Sequence, residues 1–158
     1  MIRPYKEEDF EKACDILTRG FARIFAALSQ QLGEELFLAT FGKKEGNRRE
    51  LFRKTAGERP ESILICEREG KMAGVITFYP DPVKKIGSIN MNAVDPDCGE
   101  KGVGQEMYNA VVEKCRETGM KFLVVNTGLD EAHAPARKAY ERLGMRETYR
   151  SVNYMMEL

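Results

Sequence analysis

The hydrophobic pattern of this chain switches between the two-residue period of strands and the 3.6-residue period of helices. Residues 2–5 read as a short strand. Glu7, Glu8 and Asp9 then put acids in a first helical turn, and Phe10, Ala13, Cys14, Ile16 and Leu17 carry a helix to about Arg19, where Gly20 interrupts it. Residues 21–42 are helical again, with a break near Gly33. Phe21, Ile24, Phe25 and Leu28 make one stripe, and Leu36, Phe37 and Phe41 another, both read as core packing. Residues 47–54 form a short basic helix with a solvated face. Strands follow over 62–67 and 72–79, joined by a turn through Gly70, and a third over 86–94, closed by Asp95-Pro96. Val103, Met107, Ala110 and Val111 start a helix that runs to about Thr118. Residues 121–127 form a near-continuous apolar run that suits a parallel strand covered on both faces, so 86–127 reads as a βαβ crossover. Residues 134–143 are helical, with Pro135 in the first turn and Gly144 past the end. Two terminal strands are predicted over 145–149 and 151–156.

The stretch from Ile86 to Val112 organises the rest. Between its strand and its helix lies a loop with glycines at 99, 102 and 104 and a cation at Lys101. Glycines let several backbone N–H groups converge on one anion, and a helix N-terminus adds partial positive charge. The spacing is neither the dinucleotide G-x-G-x-x-G nor a P-loop, which needs Gly-Lys-Ser/Thr. A glycine-capped turn accounts for the loop equally well when it is taken alone.

Composition narrows the class. The 158 residues make one domain, residues 1–158, with 42% hydrophobic and 32% charged residues. Lys+Arg and Asp+Glu are 25 each, and this balance argues against a general nucleic-acid or membrane-surface binder. No apolar run is long enough to span a bilayer, and residues 1–5 carry no signal-peptide pattern. Cys14, Cys66, Cys98 and Cys115 form no C-x-x-C pair, and with a single histidine they argue for reduced thiols in the cytoplasm rather than a metal site.

Two segments share a resemblance. Val94-Asp95-Pro96 followed by Gly102-Val103-Gly104 at a helix start resembles the pyrophosphate loop of the GNAT superfamily of acyl-CoA-dependent N-acetyltransferases, Gln/Arg-x-x-Gly-x-Gly/Ala. His133 to Met145 resembles that family's second signature, Asn-x-x-Ala-x-x-x-Tyr-x-x-x-Gly-Phe. The motifs span residues 86–145, and the opening Ile2-Arg3-Pro4 also fits. Three positions depart from the pattern: Gly99 replaces Gln or Arg, His133 replaces Asn, and Met145 replaces Phe.

The resemblance implies an α/β fold, with a mixed, mostly antiparallel sheet of six to seven strands, a central parallel pair and helices on both faces. It implies acetyl-CoA as cofactor and transfer of its acetyl group to a primary amine of a small molecule or peptide by direct attack in a ternary complex. A homodimer is compatible with it. By the same resemblance, the backbone of Gly99, Glu100, Lys101, Gly102, Val103, Gly104 and Gln105 holds the pyrophosphate, with Lys101 standing in for the absent Gln or Arg. The backbone of Ala93 and Val94 pairs with the pantetheine arm, and the Val94 N–H polarises the thioester carbonyl. Tyr140 is the candidate general acid, since a phenol is protonated at neutral pH. His133 hydrogen-bonds the pantetheine arm, caps the helix or acts directly, and Asn126 sits at a strand end where such folds place ligand groups. No general base is visible: Ser88, Asn90 and Asn92 occupy the fourth strand's polar positions. A non-catalytic acyl-CoA sensor of the same fold is the alternative.

Overall fold

The fourth strand, β4 (Ile86–Val94), is the centre around which the computed structural model, describing residues 1–158, is built. Preceding it are β1 (Ile2–Pro4), β2 (Ile63–Arg68) and β3 (Lys71–Asp81); β5 (Phe122–Val124) follows. The order in the sheet is β1-β2-β3-β4-β5, with the first three pairings antiparallel and β4–β5 parallel. The parallel pair requires a crossover, and α4 (Val103–Glu117) supplies it. The remaining helices are α1 (Phe10–Leu32), α2 (Glu34–Phe41), α3 (Arg48–Glu58) and α5 (Ala134–Arg142).

Each face of the sheet has its own core. Leu64, Ile76, Phe78 and Ile89 pack under Val103, Met107 and Val111 of α4, with Tyr140 of α5 beside them. On the other face Ile63, Ile65, Val75 and Met91 pack under Ala13, Ile16 and Leu17 of α1 and Phe52 of α3. Coverage on both sides explains why β2 and β3 read as continuous apolar runs rather than alternating ones.

Three sequence expectations are corrected. Gly20 does not interrupt a helix: α1 runs unbroken through it and stops at Gly33. The run 121–127 is not buried on both faces: β5 is three residues long and lies at the sheet edge, leaving Phe122 and Val124 exposed. The sheet has five strands, not six or seven, because residues 145–149 and 151–156 form none. A strand needs a ladder partner and these residues have none: Tyr149, Val152 and Tyr154 lie in solvent. The basic helix over 47–54 forms, but its arginines are engaged: Arg49 pairs with Glu11, and Arg48 stacks on Phe21.

Candidate active site

The site begins with what β4 leaves unpaired. β5 pairs with β4 only over Ile86–Ser88. From Ile89 to Val94 the β5 side of β4 carries no strand, so the two parallel strands separate toward the C-terminal end. A bulge shapes this segment, because Ile76 faces Asn92 while Phe78 faces Ile89, placing one extra residue in β4. The Thr77 hydroxyl fills the gap: it accepts from the Met91 N–H at 2.9 Å and lies 3.3 Å from the Met91 carbonyl. Beyond the bulge the Asp95 N–H donates to Ala73 of β3 at 2.8 Å. Successive peptide groups of a strand point in opposite directions, so the Val94 N–H faces the unpaired edge. Ala93 turns its own backbone to β3 and contributes its methyl to the α1 side.

The glycine loop lies just past that edge. Gly99 and Gly102 hold left-handed φ angles of 67° and 86°, and an added Cβ would meet nothing within 4 Å at either. Gly102 is the N-cap of α4 and no side chain caps the helix. The N–H groups of Val103, Gly104 and Gln105 therefore have no helical partner. The Val103 side chain is core, and Gln105 turns its amide outward to Asn109 at 3.3 Å. Only their backbones serve the site. Glu100 is paired with Arg68 at 3.0 Å, whereas Lys101 is exposed and makes no ion pair. Open glycines, uncapped N–H groups and one free cation fit a diphosphate.

Tyr140 is brought to the same place from α5. Its ring meets that of Tyr108 of α4 edge-on, with centroids 5.3 Å apart. The Tyr108 hydroxyl donates to Asn92 Oδ1 of β4 at 2.8 Å. Burial, then the neighbouring Tyr140 phenol, push the Tyr108 phenol far above its ordinary value. Val94 and Gly104 pack against this cluster. Sequence reading missed Tyr108; the signal available was a tyrosine one helical turn past Gly104, on the apolar stripe of α4.

On the opposite side of β4, α1 comes unusually close. A Cβ on Gly20 would stand 2.7 Å from Ala93 Cβ. The next residues lock this crossing: Arg19 bonds Asp95 and Asp97 at 2.8 Å each, and Lys12 reaches Asp95 at 2.9 Å. Burial alone would push the Asp95 carboxyl up, but the Asp97 N–H, Lys12 and Arg19 bring it down to about 2. A cleft of about 390 Å³ flanks the crossing between α1 and α2, lined in part by Arg19, Ala22, Phe25, Glu34 and Phe37.

The remaining predicted residues lie beyond β5. Asn126 is exposed just past the strand end. His133 ends a 3-10 turn, Glu131–His133, that packs against α1 and leads into α5. It caps nothing; Asp130 does that, accepting from the N–H groups of Ala132 and His133 at 2.9 and 3.2 Å. The second Asp130 oxygen lies 2.7 Å from His133 Nδ1. Neither this pair nor the Gly20 crossing was read from the sequence, although Asp and His three residues apart before a helix was a legible spacing.

With the geometry established, comparisons narrow the chemistry. A profile described as the acetyltransferase (GNAT) family matches residues 24–145. Mycothiol acetyltransferase of Cellulomonas flavigena is 27% identical over 104 residues, covering 60% of this chain and 29% of that protein. The chain thus spans less than a third of that relative's length. A Bacillus halodurans structure superposes with a TM-score of 0.72 at 16% identity, covering 99% of both chains. A GNAT family acetyltransferase of Brucella melitensis, solved in complex with acetyl-CoA, superposes with a TM-score of 0.61 at 16% identity, covering 93% of this chain and 82% of that one.

Proposed function

Because this chain belongs to the acetyltransferase (GNAT) family, whose cofactor is acetyl-CoA, we propose that it transfers an acetyl group from acetyl-CoA to a primary amine by direct attack in a ternary complex. One observation carries the proposal: the unpaired Val94 edge, the uncapped α4 N-terminus with Lys101, and Tyr140 all meet at the C-terminal end of β4.

Bound along that edge, acetyl-CoA supplies a thioester whose acyl carbon is open to an amine. The N–H groups of the Gly99–Gln105 segment and the Lys101 ammonium take the diphosphate charge. The Val94 N–H donates to the acyl oxygen, where negative charge grows during attack. Tyr140 donates its hydroxyl proton to the departing sulfur. The acceptor, a small molecule or a peptide, enters from the cleft between α1 and α2, on the Gly20 side of β4. Asn126, exposed past β5, borders the arm of the cofactor. Four free cysteines and the lack of any helix long and apolar enough to cross a membrane are compatible with a cytoplasmic location.

A sensor that binds acyl-CoA without turnover is the second reading, favoured by Gly99 in place of Gln or Arg. Calorimetric titration with acetyl-CoA, desulfo-coenzyme A and NAD, followed by thiol release over an amine panel, tests both. Acetyl-CoA binding without NAD binding supports the site, and no acetyl-CoA binding refutes it. Tyr140→Phe should slow thiol release by about 100-fold or more with acetyl-CoA affinity nearly unchanged. A sensor shows no turnover to lose.

A further inference from the structure

Amine acetylation needs a proton acceptor, and β4 offers none. Its polar side chains are Ser88, Asn90 and Asn92, and the Asn92 carbonyl oxygen is already committed to Tyr108. The chain has one imidazole, His133. Its Nδ1 lies 2.7 Å from Asp130 Oδ2, and this is the only hydrogen bond its ring makes within the protein.

The carboxylate is itself fixed. Its other oxygen accepts from the Ala132 and His133 N–H groups, and burial, which would raise its pKa, is outweighed by His133 and these backbone bonds, so the group stays below the ordinary carboxylate range. Arg137 Nη1 ties the loop carbonyls of Gly128 and Asp130 together at 2.7 and 2.8 Å. Gly128 has no side chain because a Cβ there would overlap both the imidazole and the carboxylate. A carboxylate accepting from Nδ1–H fixes the tautomer and leaves the Nε2 lone pair as the ring's basic site.

The position suits the chemistry. His133 precedes Tyr140 by seven residues along the 3-10 turn and α5, which places the two on one face about 10 Å apart along the axis. The 3-10 turn also packs against α1, the helix whose Gly20 touches Ala93. Donor and acceptor of protons thus lie on one helical face, and the turn that carries the imidazole packs against α1.

We propose that the Asp130–His133 pair is the proton acceptor of the reaction, with Asp130 orienting the imidazole and Nε2 taking a proton from the acceptor's ammonium. This rests on the acetyltransferase reading above. The freed lone pair forms the N–C bond as the C–S bond breaks. The C–S electron pair goes to sulfur, which takes the Tyr140 proton. The amine's second proton passes through solvent to the Tyr140 phenolate, and the imidazolium releases its proton to solvent. Ammonium and thioester become amide, thiol and one proton.

The test combines three readouts. His133→Gln should lower kcat/KM for benzylamine, an ammonium at neutral pH, by about 100-fold or more, and far less for hydroxylamine, which is unprotonated there. Acetyl-CoA affinity by calorimetry should stay within twofold. Asp130→Asn should lower kcat/KM for benzylamine in the same direction as His133→Gln and again spare hydroxylamine, because the imidazole loses the carboxylate that fixes its tautomer. The other charged groups around the ring's segment are Glu131, Arg137, Lys138 and Arg142, with Arg23 facing them from α1, and none is altered. Since the chain has one histidine, its ring nitrogen resonances report the tautomer directly, without turnover, and Asp130→Asn should abolish the preference for the proton on Nδ1. An unchanged tautomer overturns the pair. Benzylamine turnover retained within threefold in His133→Gln overturns the base. Weakened acetyl-CoA binding with unchanged kcat makes His133 a cofactor contact instead. Wild-type protein that binds acetyl-CoA but acetylates neither amine counts against the acetyltransferase reading itself.

Discussion

Gly20 sits in the middle of a 23-residue helix and is solvent-accessible, the setting in which Gly→Ala ordinarily stabilises. Helix propensity alone predicts a gain of about 1 kcal/mol. The structure predicts the reverse. The new methyl would stand 2.7 Å from Ala93 Cβ, against an ordinary carbon contact of about 3.5–4.0 Å. Either α1 or β4 must move by about 1 Å, and overpacking of this kind costs about 1–3 kcal/mol. The net expectation for Gly20→Ala is therefore a loss of up to about 2 kcal/mol, read as a lower urea midpoint with unchanged slope. The next nearest atoms, Ala93 Cα and the Val94 carbonyl oxygen, are at 3.7 and 3.9 Å, so the methyl of Ala93 is the whole obstacle. Ala93→Gly should thus unmask the propensity gain: Gly20→Ala on that background stabilises by about 1 kcal/mol. Acetyl-CoA affinity should fall in Gly20→Ala and recover in the double variant, since Val94 moves with Ala93. A single Gly20→Ala variant more stable than wild type would refute the close crossing.

Other expectations follow from the same geometry. Asp95 is depressed to about 2 from 3.8, so its stabilisation is complete above pH 4 and is lost as pH falls toward 2. The shift corresponds to at most about 2 kcal/mol, reduced by the half-exposed Lys12 partner. Acid titration of unfolding in wild type and Asp95→Asn should converge near pH 2, and parallel curves would sink this assignment. Tyr108→Phe leaves Asn92 Oδ1 without its donor and should cost about 1–2 kcal/mol in chemical denaturation; a loss below about 0.3 kcal/mol would mean that water replaces the hydroxyl. Arg48 stacks on Phe21 and Phe25 with its buried Nε unpartnered, and desolvation lowers its pKa. Arg48→Met should change stability by less than about 1 kcal/mol, the lost cation–π attraction offsetting the relieved desolvation. A larger loss would assign the guanidinium a structural role.

Much of this was legible because the signals were local. The spacing of Val103, Met107 and Val111 defined α4, the glycines at 99 and 102 marked a loop that needs left-handed backbone twice, and Tyr140 stood at helical spacing from Ala136 and Leu143. What failed was non-local. Gly20 read as a helix stop because the reason for a glycine there is Ala93, 73 residues away in sequence. Residues 121–127 read as buried because an apolar run does not reveal how many strands lie beyond it. Residues 145–149 and 151–156 read as strands, but a strand exists only with a partner.

The positions that break local rules also converge. A glycine inside a helix, an extra residue in β4, a helix start without a cap, a tyrosine–asparagine hydrogen bond within an apolar cluster and two parallel strands that part after three residues each cost stability taken singly. All five lie on β4 past Ser88 or on an element packed against that segment. A fold that needed only stability would have placed Leu at 108, Ala at 20 and Ser at 102, and β5 would have continued along β4. Leu at 108 would remove the hydroxyl that bonds Asn92, Ala at 20 would press on Ala93, and a longer β5 would pair the edge that carries the Val94 N–H. The concentration of such exceptions at one strand end is what a built site produces, and it stands independently of any resemblance to other proteins. It also separates the site from the C-terminal residues 145–158, where the strand expectation failed without any polar or glycine exception gathering around it.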